Sequence, residues 1–112
     1  MSMEIEITPR ADRQIKETFL FIAQENLDTA IDFYHAVNQS FERIAEFPHI
    51  GAERDYIQSR LRGLRMWFVH GYKKYLIFYQ VADQAIRILA VIHASQDPTR
   101  IFAEKDEEET LE

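Results

Sequence analysis

The second half of the chain holds three apolar runs of strand length: Leu64 to Val69, Leu76 to Tyr79, and Ile86 to Ile92. Only short polar breaks separate them, which predicts an antiparallel meander. The first run partly alternates, as a strand covered on one face does. The other two are apolar almost throughout, the pattern of strands buried on both faces or lying mid-sheet. Gly71 through Lys74 and Ala82-Asp83-Gln84 carry the turn chemistry for the two reversals.

The first half must supply the cover. Glu4 to Ile7 alternates and reads as a short strand. Thr8-Pro9 then starts a helix, with Thr8 as the N-cap accepting from orphan N–H groups and Pro9 at N1, where no N–H is needed. Ala11, Ile15, Phe19, Ile22 and Ala23 recur at three- and four-residue steps, so the spacing predicts a helix over 9–24 with one buried stripe. A second helix follows, with Asp28 as its expected cap and Ala30, Tyr34, Val37, Phe41 and Ile44 as its stripe. Two such helices joined by a short turn form an antiparallel hairpin. Phe47-Pro48 ends the second helix, and Pro48-His49-Ile50-Gly51 reads as a turn in which glycine accepts positive φ. The stretch from Ala52 to Gly63 is polar and irregular, with one helical turn expected near Tyr56 to Leu61. Asp97-Pro98 repeats the device at Thr8-Pro9 and predicts a short final helical turn through Ile101 and Phe102. The expected architecture is α+β, in the order β-α-α-β-β-β, with a helical hairpin packed on a small, mainly antiparallel sheet.

A length of 112 residues with 46% hydrophobic content suits a single domain over 1–103. Residues 104–112 read as an acidic, disordered tail, because the run has too few apolar groups to fold. The chain has no cysteine, so disulfides and thiolate metal sites are excluded and a reducing cytoplasm fits. No apolar run reaches the roughly 20 residues needed to span a bilayer, and no signal segment precedes the first strand. Of the net charge of −6, the tail carries −5, leaving the body at −1. Within the body, Arg54, Arg60, Arg62, Arg65, Lys73 and Lys74 meet only Glu53 and Asp55, a local excess of four positive charges. Such an excess suits a phosphate backbone or an acidic partner, and equally a solvated rim.

Chemistry concentrates at the borders of the meander. Metal-independent RNA cleavage needs a base for the 2′-hydroxyl, an acid for the leaving oxygen, and cations for charge building on phosphate. His93 is the candidate acid or base. Arg62, Arg65, Lys73, Lys74, Arg87 and Arg100 are the candidate cations for phosphate or another target. His93 also ends a buried strand, so it has a structural reading as a partner of loop backbone or of Asp97. Asp97 reads as an N-cap ahead of Pro98, and with Gln96 it supports the site. His35, His49 and His70 lack ligand spacing, so neither a metal site nor a cofactor is expected.

The ordered set Pro48-x-x-Gly51, Leu61-Arg62-Gly63-Leu64-Arg65-Met66-Trp67, Tyr75-Leu76-Ile77-Phe78-Tyr79 and Val91-Ile92-His93-x-x-x-Asp97 resembles the RelE/ParE family of plasmid-stabilisation toxins. The ending from His93 to Asp97 is closer to the ParE branch. That branch usually places arginine where this chain has Gln96, and often proline where it has Phe68. The resemblance implies the toxin of a type II toxin–antitoxin system, arresting growth in the cytoplasm. It further implies a cognate antitoxin that lays a helix and a strand over apolar surface, giving a hetero-oligomer. ParE-like members inhibit DNA gyrase by binding it, whereas RelE-like members cleave messenger RNA on the ribosome. The gyrase reading leads because a RelE-type ribonuclease usually adds basic residues on the middle strands and a tyrosine near the C-terminus, whereas here Leu76 to Tyr79 and Ile88 to Ile92 carry no cation and no tyrosine follows Tyr79. Ribosome-dependent endoribonuclease action and a non-toxic degenerate member stand as the alternatives.

Overall fold

The computed structural model describes residues 2–55 and 61–103. In chain order it contains strand β1 (Glu4–Ile7), helices α1 (Pro9–Ala23) and α2 (Leu27–Glu46), strands β2 (Ala52–Glu53), β3 (Arg65–Val69), β4 (Tyr72–Ala82) and β5 (Ala85–His93), and helix α3 (Pro98–Ala103). The strands form one sheet in the order β1-β5-β4-β3-β2. β1 runs parallel to β5, and every other pair is antiparallel. The expected helical hairpin and antiparallel meander are both present. No helix among the described residues is long and apolar enough to cross a membrane. Of the helical turn expected near Tyr56 to Leu61, all but Leu61 lies outside the described residues, as does the acidic tail 104–112.

The two-sided apolarity of β4 and β5 is met by cover on both faces. On one side, Ala11 and Ile15 of α1 with Phe33, Val37, Phe41 and Ile44 of α2 pack against Val69, Ile77, Tyr79, Ile86, Ile88 and Val91. On the other, Leu61, Leu64 and Phe102 close over Phe78, Ala90 and Ile92. Phe102 of α3 meets the Phe78 ring edge-on, with centroids 5.6 Å apart, so the final turn is the lid of the second core layer. Each of these side chains gives roughly 1.5–3 kcal/mol on full burial, which is ample reason for so short a helix to dock.

Thr8 caps α1 as expected, its hydroxyl accepting from the Ala11 N–H at 3.3 Å with Pro9 following. The cap of α2 differs from expectation. Asn26, not Asp28, takes the extended conformation and accepts from the Thr29 N–H at 3.0 Å. Asp28 falls in the first turn, where its charge meets the positive end of the helix. Phe33 rather than Tyr34 enters the core, and Tyr34 lies at the stripe's margin, edge-on to Phe19 of α1. β2, two residues paired with β3, is an addition that its composition did not announce.

Two differences bear on the site. The first reversal is confined to His70-Gly71, with Gly71 at φ +79°, and Lys73 and Lys74 belong to β4. Phe68 pairs with Leu76 but Val69 pairs with Tyr72, so Lys73, Lys74 and Tyr75 have no register partner on β3. Irregularities of this kind re-aim side chains out of the ladder. The second difference is the reason for Gly51, which is space rather than positive φ. A Cβ there would sit 2.6 Å from the Tyr79 hydroxyl and 2.8 Å from the Met66 carbonyl oxygen. That hydroxyl donates to the Pro48 carbonyl at 2.8 Å and accepts from the Gly51 N–H at 2.9 Å, tying the loop after α2 to the middle of the sheet. Burial pushes the Tyr79 pKa up, against smaller opposing effects from the Gly51 N–H and the Arg65 charge.

Gly51→Ala is therefore expected to destabilise the protein by about 1–3 kcal/mol through overpacking. Tyr79→Phe strands two buried backbone groups at a similar cost of about 1–3 kcal/mol. Phenylalanine lacks the oxygen nearest the added methyl, so the double variant should cost less than the sum of the singles. Urea unfolding of the four proteins checks this, and strict additivity would refute the close approach.

Candidate functional site

The candidate residues separate into two groups at opposite ends of the sheet. His93, Gln96, Asp97, Arg100, Lys73 and Lys74 gather where β5 ends and β4 begins. Arg62, Arg65 and Arg87 lie toward the other end, where Arg65 pairs with Tyr79 and Arg87 with Gln80. From Tyr75 to Gln80 along β4 is about 16 Å at roughly 3.3 Å per residue. No single ligand side chain spans that gap, so the two groups do not make one site.

At the β5 end the chain ties its own turn. The Gln96 side-chain oxygen accepts from the His93 N–H at 3.2 Å, and the Gln96 N–H donates back to the His93 carbonyl at 3.0 Å. The His93 ring Nδ1 accepts from the Ser95 N–H at 3.0 Å and lies 2.8 Å from the Ser95 hydroxyl. An Nδ1 that accepts from a backbone N–H places the proton of the neutral ring on Nε2. In that tautomer Nε2–H is a hydrogen-bond donor. Its ring stands edge-on to Tyr75, with centroids 5.1 Å apart. The loop-backbone reading of His93 matches these contacts, with Ser95 in the place considered for Asp97.

Asp97 caps α3. One carboxylate oxygen accepts from both the Thr99 N–H at 3.0 Å and the Thr99 hydroxyl at 2.7 Å. Those bonds hold the Asp97 carboxyl below the usual carboxylate range, the side-chain bond first, with Arg100 adding a smaller pull.

Three shallow grooves meet around this turn. His93 and Tyr75 line one of about 460 Å³ with Glu17, Thr18 and Phe21 of α1. The same pair line another of about 480 Å³ with Lys73 and Lys74, so the structure does bring these lysines beside His93. Arg100, Gln96 and Asp97 share a third, of about 540 Å³, with Arg10, Arg13 and Glu17. Arg10 and Arg13 escaped the sequence reading. Arg10 is only 5% exposed, with its guanidinium 5.7 Å from the Phe102 ring centre. The available signal was the spacing of Arg10, Arg13 and Glu17, which puts them on one face of α1. Gln14, from the same helix, accepts from the Val91 N–H at 2.9 Å, standing in for a strand neighbour that β5 lacks beyond Ile88.

At the other end, Arg65 faces inward instead of toward a target. Its guanidinium donates to the Gly51 carbonyl at 2.7 Å and the His49 carbonyl at 3.4 Å, and pairs with Glu53 at 3.2 Å; the side chain is 17% exposed. Those bonds reinforce the Tyr79 tie on the same loop. The Arg62 carbonyl accepts from the Gln80 side chain at 3.0 Å while its own side chain is exposed, and Arg87 is half-buried on β5 opposite Glu6. Among the described residues no three His, Asp or Glu side chains gather into a group able to hold a metal ion.

Comparison with known proteins adds three findings. A family model described as the ParE toxin of the type II toxin–antitoxin system parDE matches residues 5–98. Among solved structures, the chain is similar to one titled as a chromosomal ParDE TA system from P. aeruginosa. The TM-score is 0.65 at 14% identity, covering 82% of this chain and 96% of the other, a likeness of fold. No curated protein matches the sequence.

Because Asp97 is more acidic in the folded chain than unfolded, its carboxylate stabilises the fold above the unfolded pKa, near 3.9, and that contribution fades as pH falls through the depressed value. Unfolding midpoints of the wild type and Asp97→Ala should differ near neutral pH, and the gap should narrow as pH falls through the depressed value. A gap that stays constant across the range would remove the capping carboxylate as its cause.

Proposed function

Since the chain belongs to the ParE toxin family of type II toxin–antitoxin systems, we propose that it is a cytoplasmic, single-domain toxin that is silenced by a cognate antitoxin and arrests growth by binding and inhibiting DNA gyrase. The observation that carries the partner is the strip left uncovered on the helical hairpin. Leu20 on α1 is 62% exposed, and Ile31 and Tyr34 on α2, 39% and 48% exposed, share its cleft. An apolar cleft of about 570 Å³ runs between the helices, lined by Phe19, Leu20, Ile31 and Tyr34 among others. A contiguous patch of this kind marks an interaction site. Lys16 is the charged residue lining the cleft, and its walls are otherwise almost wholly apolar, so the antitoxin segment that fits is an amphipathic helix laying its apolar face into it.

The contacts of His93 speak against one part of an RNA-cleaving site, the base. A base for a 2′-hydroxyl needs a free ring nitrogen, and the accepting Nδ1 is already engaged by Ser95.

The test has two arms. Leu20→Glu with Ile31→Glu alters exposed positions, so the melting temperature should hold while antitoxin affinity falls by about a hundredfold, the loss of two hot-spot anchors. Toxin freed from its antitoxin should block gyrase supercoiling and leave translated messenger RNA intact. Codon-specific cleavage during translation, with supercoiling unaffected, would replace this reading with the endoribonuclease one. Induction without growth arrest would point to a non-toxic member.

A further inference from the structure

We infer that the groove between the C-terminal half of α2 and the β3–β4 turn is the target-gripping surface of this toxin, and that its occupant is an acidic protein segment carrying an aromatic or aliphatic anchor. This deepens the reading of a binding toxin and rests on it. The groove, of about 680 Å³, is the largest of those described; it shares no lining residue with the cleft of the helical hairpin and meets the groove of His93 only at Gly71 and Lys73. Arg43, Lys73 and His70 line it beside Gln39, Trp67 and Phe68, and no Asp or Glu is among its described lining residues. Charge at the rim is thus of one sign.

The apolar floor sets the second half of the chemistry. Trp67 is half-buried, Phe68 is 37% exposed, and their rings lie 5.6 Å apart. Both sit on β3 just before the point where its register with β4 jumps, which leaves Lys73 outside the ladder at the groove's edge. Arg43 is held with its guanidinium 5.1 Å from the Phe47 ring centre, so a donor fork is presented at low entropic cost. An aromatic pocket flanked by cations, one of them held against a ring, is the arrangement expected of a protein-binding hot spot.

Nucleic acid fits less well. Affinity for a duplex accumulates over about 6–10 phosphate contacts, and the groove's two cations, Arg43 and Lys73, supply few of them.

The chain has a single tryptophan, Trp67, in this groove, so its fluorescence reports occupancy directly. The probes are an acidic peptide with a central phenylalanine, the same peptide with serine in place of its acids, and a duplex oligonucleotide. The acidic peptide should shift the Trp67 emission, with an affinity at least about tenfold above the serine peptide and falling with salt. Arg43→Glu with Lys73→Glu, and the milder Arg43→Gln with Lys73→Gln, should weaken that binding and growth arrest together while antitoxin affinity is unchanged. The proposal is overturned if the charge variants arrest growth as the wild type does, if they lose the antitoxin instead, or if the oligonucleotide binds more tightly than the peptide. Growth arrest by a wild type that spares gyrase would sink the gyrase reading alone, leaving the variants to judge the groove.

Discussion

Everything in this fold hangs on the need to cover β4 and β5 from both sides. Ile77, Tyr79, Ile88 and Val91 point one way and Phe78, Ala90 and Ile92 the other, and all are essentially solvent-free. A hairpin alone satisfies half of that demand. The six-residue α3 and the Leu61–Leu64 loop satisfy the rest, which is why Phe102 is as buried as any residue of the main core. The turn that ties β5 to α3 is therefore part of the core's closure, and the groove residues near it inherit their positions from packing.

A second constraint acts through the loop after α2. Tyr79 reaches from the sheet to Pro48 and Gly51, and Arg65 adds bonds to His49, Gly51 and Glu53. These contacts set the angle at which α2 leaves the sheet, and with it one wall of the groove holding Arg43 and Trp67. A cation assigned to the surface by composition thus turns out to be a brace for another surface.

The sequence showed what periodicity and turn chemistry encode. The stripes Ala11-Ile15 and Val37-Phe41-Ile44, the Thr8-Pro9 cap and the Asp97-Pro98 start were all readable because each depends on neighbours within one helical turn. Asn26 against Asp28 was a choice between two good caps, decided by where α1 ends. Gly51 was legible as a glycine that mattered, but its reason, the hydroxyl of a residue 28 positions away, was not. The same holds for the site. His93 and Asp97 were visible as a motif, whereas Arg10 and Gln14 join it only through the crossing of α1 over β5. Charge counting merged Arg62 and Arg65 with Lys73 and Lys74, since a hairpin separates residues that lie close along the chain.

Position 96 carries a consequence of its own. The glutamine there lends an oxygen to the His93 N–H and its backbone N–H to the His93 carbonyl. An arginine at this place has only donors and would leave that N–H to water. With glutamine, the cation that would reach outward is exchanged for a latch that keeps the end of β5 from fraying. The amide of His93 should then exchange with solvent far more slowly than its place at a strand end suggests.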